Sequence, residues 1–328
     1  MKVSILGAGN WGTTLAIMLS KREVRPRTEV SLWAIEKIEG RENKKYLPGY
    51  EIPNEVVISS NLRRVIKDSY LLIFALPSQA MRGVAKQIAP EPEAILLSAT
   101  KGIEIQSLKR MSEILAQETR VSLDRVCVLS GPTVAREVIK GMPTTCTVAG
   151  KDESITKEIQ ELFNSPSFRV YTSPDVIGVE LGGALKNPIA IASGICDGLG
   201  LGANSKGAIL TRGIREITRL GVALGADKET FAGLSGMGDL ITTSFSKDSR
   251  NRWLGEQIGK GRPLQDVLSE MVEVAEGVPT TRAAVELSKR YNISMPITNE
   301  VEKVLFENKS PKQSMHDLMT REPKPENL

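Results

Sequence analysis

The sequence predicts an α/β N-terminal half, built on a doubly wound parallel sheet, and an all-α C-terminal half. Up to about residue 173, short apolar and β-branched runs alternate with amphipathic stretches, which is typical of stacked βαβ units. From Pro174 onward such runs become rare, and apolar residues recur with the helical period of about 3.6 residues. We therefore expect two domains, residues 1–173 and residues 174–328.

The composition is that of an ordinary globular protein. Of 328 residues, 41% are hydrophobic, 25% are charged and 4% are aromatic, and a length of roughly 150 residues per domain agrees with two domains. The net charge is +4 and the longest basic cluster is Lys44-Lys45. This cluster is too small for a nucleic-acid surface, whereas a mild positive excess suits a small anionic ligand.

The cysteines and the lack of a recognisable targeting segment indicate the cellular compartment that we expect for this protein. Cys127, Cys146 and Cys196 are widely spaced, which favours reduced, buried thiols over a disulfide framework or a thiolate metal site. No apolar stretch reaches the ~18 residues of a membrane span, and Met1-Lys2 leads directly into a strand-like run. We expect a cytoplasmic protein without a membrane span.

The sequence contains one histidine, His316, in a polar segment near the C-terminus. Histidine is the usual proton carrier near neutral pH and the commonest metal ligand. Its scarcity argues against His-based triads, His-ligated metals and the His–Asp pair of lactate-type dehydrogenases. We expect no metal site, and any proton transfer must use another residue.

The elements follow from the apolar pattern. Most strand candidates are apolar throughout, as strands covered on both faces should be. They are residues 2–6, 29–33, 70–75, 94–98 and 126–129. The main helix candidates are residues 13–21, 207–224, 264–276 and 280–291.

A GxGxxG motif follows the first strand directly and opens the first helix. Gly7 allows a tight turn, Gly9 lets backbone N–H groups approach a pyrophosphate, and Gly12 lets helix and sheet pack closely. The helix N-terminus adds partial positive charge. A plain glycine-rich turn is the alternative, but the strand–turn–helix context favours a Rossmann-type dinucleotide site.

Cofactor choice is decided near the end of the second strand, where Glu36 and Lys37 lie. An acidic side chain there accepts hydrogen bonds from the ribose and repels a 2′-phosphate. Glu36 lies slightly later than the usual acidic position, and Lys37 could still pair with a phosphate. We expect NAD as the cofactor, with NADP possible.

Two polar segments, at residues 98–102 and 130–133, follow strand candidates and should lie at the carboxyl edge of the sheet, where such folds bind ligands. Lys101 and Thr133 would then face the nicotinamide end. For Lys101 alone, a solvated surface lysine is an equally good interpretation.

Lys186 is our candidate for the acid/base. It follows an apolar, glycine-rich stretch near the proposed domain junction, between Leu185 and Asn187. Partial desolvation should lower its pKa towards neutrality, which suits proton exchange. The alternative is a lysine that extends its ammonium along a helix to water.

Further along, Asp239 could orient or tune Lys186. Ser249, Arg250 and Asn251 are consistent with an anion pocket, because an arginine fork binds phosphate through two hydrogen bonds. An ordinary helix N-cap with exposed charges is the alternative, and the residues alone leave both open.

Several motifs together resemble bacterial-type NAD(P)-dependent glycerol-3-phosphate dehydrogenase, over almost the whole chain. They are Gly-Ala-Gly-Asn-Trp-Gly at 7–12, Leu-Pro-Ser-Gln at 76–79, Thr-Lys-Gly-Ile-Glu at 100–104, Ser-Gly-Pro-Thr at 130–133, Glu-Leu-Gly-Gly-Ala-Leu-Lys-Asn at 180–187, Thr-Arg-Gly at 211–213, Gly-Asp-Leu at 238–240 and Ser-Arg-Asn-Arg at 249–252.

The resemblance implies reversible hydride transfer between the nicotinamide and C2 of sn-glycerol 3-phosphate, which links dihydroxyacetone phosphate to phospholipid synthesis. It implies that Lys186 is the proton acceptor and that Lys101 serves both ligands. The implied substrate-contacting residues are Lys101, Gly131, Thr133, Asp239, Ser249, Arg250 and Asn251. The implied cofactor-contacting residues are Asn10, Trp11, Lys101, Ala135, Arg250, Val274 and Glu276.

Three departures from the family pattern bear on these expectations. Thr133 stands where the family usually has Ser, and it keeps the hydroxyl. Ile35 stands where bacterial members often carry a basic residue. The segments 32–37 and 46–49 are similar to the NAD-using eukaryotic branch, which favours NAD.

Two other functions stay open at this stage. One is another lysine-dependent dehydrogenase, of the hydroxyacid or 6-phosphogluconate type, and the other is a non-catalytic NAD-sensing module. The family resemblance also suggests a homodimer.

Overall fold

The computed structural model describes residues 1–21, 28–91 and 93–326. An eight-stranded sheet occupies the first half, in the order β3-β2-β1-β4-β5-β6-β7-β8. The strands are β1 Lys2–Leu6, β2 Glu29–Trp33, β3 Val57–Ser59, β4 Leu71–Phe74, β5 Ile95–Ser98, β6 Val126–Ser130, β7 Thr144–Ala149 and β8 Phe168–Ser173.

The strand order reverses at β1, which pairs in parallel with β2 on one side and β4 on the other. Helices cover both faces of this sheet, because Val3 and Ile5 share a core cluster with Leu15, whereas Leu72 and Phe74 belong to another cluster. A crevice therefore opens outside the carboxyl ends of β1 and β4, where doubly wound folds bind ligands. The predicted fold class is confirmed.

Fourteen α-helices are present in the described ranges, and most residues after Ser173 belong to them. They are α1 Asn10–Ser20, α2 Leu62–Ile66, α3 Met81–Ala85, α4 Met111–Thr119, α5 Ala135–Ile139, α6 Glu153–Phe163, α7 Val176–Gly198, α8 Ala203–Ala223, α9 Asp239–Phe245, α10 Arg250–Gly259, α11 Leu264–Glu270, α12 Gly277–Arg290, α13 Pro296–Phe306 and α14 Pro311–Met319. The domain division at residues 173 and 174 stays a prediction.

The five predicted strands are present within one residue at each end, and the sheet is parallel except where β7, which was not predicted, pairs with β6. β7 runs antiparallel to β6, with Leu129 opposite Val148. The sequence did not predict three of the strands, β3, β7 and β8. β7 and β8 carry polar residues such as Thr145 and Arg169 in alternation with buried ones, so they lack the continuous apolar run of a central strand.

The predicted helix at 264–276 was wrong in its second part. α11 ends at Glu270, and Met271 has an extended backbone with ψ of 125°. The irregular segment 271–276 that follows lies on the wall of the main cavity. The β-branched Val272 and Val274 lower the helix propensity of this segment.

α7 is the central helix of the second half, and α10 packs against it at very short range. Glycines make this approach possible: a Cβ on Gly255 would lie 2.1 Å from the Ile191 carbonyl oxygen, and one on Gly194 would lie 2.0 Å from that of Arg252. Because α7 carries Lys186 and α10 begins at Arg250, this contact fixes two candidate site residues relative to each other.

We predict that Gly255→Ala destabilises the protein by about 1–3 kcal/mol, because the added methyl group overlaps backbone that cannot easily move. The matched control is Gly207→Ala on α8, where a Cβ meets nothing within 4 Å. The control should be neutral or stabilising by up to about 1 kcal/mol, through helix propensity. Urea unfolding of both variants measures the difference, and equal midpoints would contradict the close-packing account.

Candidate active site

A cavity of about 910 Å³ opens at the carboxyl edge of the sheet and is bounded on its other side by the second half. This volume falls within the range of about 300–1,000 Å³ of small-molecule sites. Its lining includes Gly7, Gly9, Asn10, Trp11, Glu36, Lys101, Thr133, Ala135, Lys186, Asp239, Ser249, Arg250, Asn251, Val274 and Glu276. The structure thus brings these predicted residues together, while their individual roles stay predictions.

Gly12 and Gly131, the other two predicted residues, lie next to the lining. A Cβ on Gly12 would lie 1.9 Å from the Gly7 carbonyl oxygen, so Gly12 sits behind the turn as expected for close packing. The Gly131 carbonyl oxygen accepts a hydrogen bond from Lys101 Nζ at 2.8 Å. Gly131 therefore supports Lys101 through its backbone.

The glycine-rich turn fits a dinucleotide. Gly7 has a φ of +110°, and a Cβ there would lie 2.4 Å from the Ala75 carbonyl oxygen. Gly9, in contrast, would direct a Cβ into open space, and it precedes α1 without any side-chain cap. The first N–H groups of α1 lack intrahelical acceptors, so they can donate hydrogen bonds to a pyrophosphate there.

Glu36 lines the cavity three residues beyond the end of β2. It is exposed and already paired: Lys45 Nζ lies 2.6 Å from its Oε1, and the Tyr46 hydroxyl donates to the same atom at 3.2 Å. The hydrogen bond from Lys45 is the main cause that lowers the pKa of Glu36. The Glu36 carboxylate and the Lys45 ammonium therefore both line the cavity.

Lys186 lies on α7 and is buried, with 5% of its surface exposed. Desolvation lowers the pKa of Lys186 to about 8, although the carboxylate of Asp239 opposes this shift and the Lys101 charge adds to it. The pKa therefore moves in the direction that the sequence predicted. A lysine reaching along the helix to water is excluded by its burial.

Asp239 bridges the two lysines. Its Oδ1 accepts from Lys186 Nζ at 2.7 Å and its Oδ2 accepts from Lys101 Nζ at 2.7 Å. Burial alone would raise the pKa of Asp239, but the two positive charges outweigh burial and the pKa is lowered. Lys101 also donates to Thr133 Oγ1 at 3.3 Å, so it is not a solvated surface lysine.

Thr243 was missed by the sequence analysis. Its Oγ1 accepts a hydrogen bond from Lys186 Nζ and donates one to Asp239 Oδ1 at 3.1 Å. Asp239 and Thr243 lie four residues apart on α9, so they share one face of that helix. Helical spacing from Asp239 was the signal that could have found Thr243.

The structure shows the N-cap that the sequence left open for the Ser249–Asn251 segment, while the anion pocket stays a prediction. Ser249 caps α10, accepting from the Arg252 backbone N–H at 3.2 Å. Arg250 lines the cavity, whereas Asn251 is buried and donates to Asn187 Oδ1 at 2.9 Å. Arg250 is thus the cationic side chain of this segment that a ligand can reach.

Ser78 and Glu276 connect the two halves beside the cavity. Glu276 Oε1 accepts from the Ser78 backbone N–H at 2.8 Å, and its Oε2 accepts from the Ser78 hydroxyl. Burial raises the pKa of Glu276, although these hydrogen bonds act to lower it. Ser78 belongs to the Leu-Pro-Ser-Gln motif, and its role as an anchor for Glu276 was not predicted.

A doubly wound sheet with a Gly-rich turn at its switch point, joined to a helical half, defines the class of Rossmann-fold dehydrogenases. Residues 2–156 match the sequence profile "NAD-dependent glycerol-3-phosphate dehydrogenase N-terminus". Residues 175–316 match the profile "NAD-dependent glycerol-3-phosphate dehydrogenase C-terminus". The chain belongs to the NAD-dependent glycerol-3-phosphate dehydrogenase family.

Individual relatives agree with this family. A glycerol-3-phosphate dehydrogenase [NAD(P)+] of Carboxydothermus hydrogenoformans is 47% identical, covering 99% of this chain and 98% of the relative. That of Pelotomaculum thermopropionicum is 48% identical, covering 98% and 93%. The crystal structure of glycerol-3-phosphate dehydrogenase from Coxiella burnetii is 33% identical with a TM-score of 0.92, covering 98% of this chain and 99% of that one.

More distant structures share the fold alone. A D-mandelate dehydrogenase in complex with NADH is 12% identical, with a TM-score of 0.61 over 94% of this chain and 98% of that one.

Within the ranges that the structure describes, no group of three or more His, Cys, Asp or Glu side chains is arranged to hold a metal ion. None of the described helices is both long and apolar enough to cross a membrane.

We predict that Asp239→Asn destabilises the protein by about 3–5 kcal/mol, because it leaves the Lys186 and Lys101 charges without their common carboxylate. The matched control is Asp248→Asn, which removes an exposed pair with Arg136 at 3.5 Å and should cost less than about 1 kcal/mol. Chemical denaturation compares the two. A loss no larger for Asp239→Asn than for Asp248→Asn would contradict the importance of the buried cluster.

Proposed function

We propose that the chain is an NAD(P)-dependent sn-glycerol-3-phosphate dehydrogenase. It transfers hydride reversibly between NAD(P)H and dihydroxyacetone phosphate, giving sn-glycerol 3-phosphate for phospholipid synthesis. The observation that carries the proposal is the buried Lys186 ammonium at the cavity, with the Asp239 carboxylate 2.7 Å away. The family membership supplies the substrate class.

Lys186 carries the proton in this mechanism. A nicotinamide cofactor held at the Gly-rich turn would supply hydride to the ketone or accept it from the alcohol. Lys186 takes the proton of the C2 hydroxyl during oxidation and returns it during reduction. Because its pKa of about 8 is close to neutral, both protonation states are accessible, which is what general acid–base catalysis requires.

Asp239, Thr243 and Lys101 prepare Lys186 for this exchange. Asp239 and Thr243 hold Nζ in one position, which lowers the entropic cost of reaching the reactive geometry. Lys101 adds positive charge near the oxygen that becomes negative during hydride addition. We assign Lys186, Asp239 and Lys101 to the catalytic cluster.

The phosphate of the substrate is assigned to the end of the cavity that carries Arg250. Its guanidinium can donate two parallel hydrogen bonds to a phosphate. Asn251 and Asn187 hold each other through a buried hydrogen bond and shape this end of the cavity. Ser249, Thr133 and Gly131 complete the proposed substrate contacts.

We assign the cofactor to the Gly-rich turn and the surrounding walls. Gly7, Gly9 and Gly12 shape the turn, and the other proposed contacts are Asn10, Trp11, Glu36, Lys101, Ala135, Arg250, Val274 and Glu276. NAD is the preferred cofactor in this proposal, because the Glu36 carboxylate repels a 2′-phosphate and offers an acceptor to the ribose. Lys45 partly neutralises Glu36, which leaves NADP usable.

Three further assignments belong to the proposal. The halves 1–173 and 174–328 act as the dinucleotide-binding and substrate-binding domains. Two copies form a homodimer, as the family resemblance suggests. The protein works in the cytoplasm, and its three free, buried cysteines suit a reducing compartment.

Initial-rate kinetics with dihydroxyacetone phosphate test the substrate and the cofactor together. We expect turnover with NADH at a higher kcat/KM than with NADPH. Oxidation of hydroxyacids without activity on glycerol 3-phosphate would identify a hydroxyacid-type dehydrogenase instead. Tight NADH binding without any turnover would indicate a sensing module.

We predict that Lys186→Ala leaves NADH binding nearly intact but slows dihydroxyacetone phosphate reduction by roughly a hundredfold or more, which is the usual scale of general acid catalysis. Steady-state rates and a fluorescence titration of NADH measure the two effects. Lys289→Ala, an exposed lysine on α12, is the control and should behave as wild type. Unchanged turnover in Lys186→Ala would refute the assignment.

A further inference from the structure

The guanidinium of Arg250 already has an anionic partner from the protein itself. Its Nη1 donates to the Val274 carbonyl oxygen at 3.0 Å and lies 3.1 Å from Glu273 Oε2. Arg250, Glu273 and Val274 all line the main cavity. A carboxylate therefore lies against the cation that we assign to the substrate phosphate.

Glu273 belongs to the irregular segment 271–276, between α11 and α12, rather than to a helix. Its side chain is 22% exposed. Burial raises the pKa of Glu273, while the charges of Arg250 and Arg136 act to lower it. The Glu273 carboxylate is thus partly desolvated, and the positive charge of Arg250 is the main interaction that stabilises its ionised form.

A second arginine offers an alternative position for this carboxylate. Arg136 on α5 also lines this cavity and acts electrostatically on Glu273. Arg136 forms an ion pair with Asp248 at 3.5 Å, and both side chains are exposed. Such an exposed pair is weak, so Arg136 remains available to a carboxylate that leaves Arg250.

We propose that Glu273 is an internal competitor for Arg250, which a phosphate-bearing ligand must displace before it binds. The inference rests on the proposed function in one respect, namely that Arg250 receives the substrate phosphate. A phosphate monoester carries more negative charge than a carboxylate and can accept two hydrogen bonds from the guanidinium. Phosphate therefore displaces the Glu273 carboxylate from Arg250, and its affinity is lowered because the Arg250–Glu273 ion pair must break.

Glu273→Gln tests the proposal, because the amide keeps the shape of the side chain and removes its charge. Inorganic phosphate is the probe, titrated into the full-length protein by calorimetry. We expect its Kd to fall roughly fivefold, the size of a typical partly exposed ion pair. The KM for dihydroxyacetone phosphate should fall by a similar factor, with kcat unchanged.

Glu270→Gln is the matched control, because Glu270 also pairs with an arginine, Arg262, but that pair does not line the cavity. It should leave the Kd and the KM unchanged. In an Arg250→Ala background, Glu273→Gln should lose its effect. Glu273→Ala is a second variant with the same expected direction.

Unchanged or weaker phosphate binding by Glu273→Gln would overturn the proposal. Unchanged binding would mean that Glu273 does not compete with phosphate, and weaker binding would mean that Glu273 orients Arg250 for the ligand. The phosphate titration needs no turnover. Tighter phosphate binding in a protein that does not reduce dihydroxyacetone phosphate would therefore refute the proposed function while supporting the competitor role of Glu273.

Discussion

The arrangement of the cavity depends on one buried carboxylate that binds two ammonium groups. Asp239 begins α9 in the second half, Lys186 lies on α7, and Lys101 follows β5 at the edge of the sheet. The ion pair of Asp239 with Lys101 therefore joins the two halves. Charges buried to this degree are tolerated only when they are paired and hydrogen-bonded, so the cluster constrains how α7, α9 and the sheet edge can approach one another.

Glycines on α7 allow the close approach of neighbouring elements that positions this cluster. A Cβ on Gly182 would lie 2.8 Å from the Ser235 carbonyl oxygen, and one on Gly183 would lie 2.3 Å from Ser130 Oγ. α7 can therefore lie against both the π-helical turn Leu234–Gly238 and the end of β6. The small residues before Lys186 thus serve packing as well as desolvation, and the same contacts bring the lysine to the sheet edge.

Local signals in the sequence predicted the parts of the site that depend on local geometry. The GxGxxG turn requires a strand before it and a helix after it, and these lie next to one another in the chain. Ser78 contacts Glu276 across 198 positions of the chain, so Ser78 carried no local signal of a role, whereas Thr243 could be found only through its helical spacing from Asp239. The antiparallel β7 was missed for a related reason: tertiary contacts, rather than propensity, decide its conformation.

Burial lowers the pKa of Lys186 to about 8, although the neighbouring Asp239 carboxylate opposes this shift. A pH titration of the full-length protein labelled with ¹³C at lysine Cε measures this directly, with the Lys186 resonance assigned by its loss in Lys186→Met. The account predicts a midpoint near pH 8. A midpoint near the ordinary lysine value of about 10.4 would contradict it.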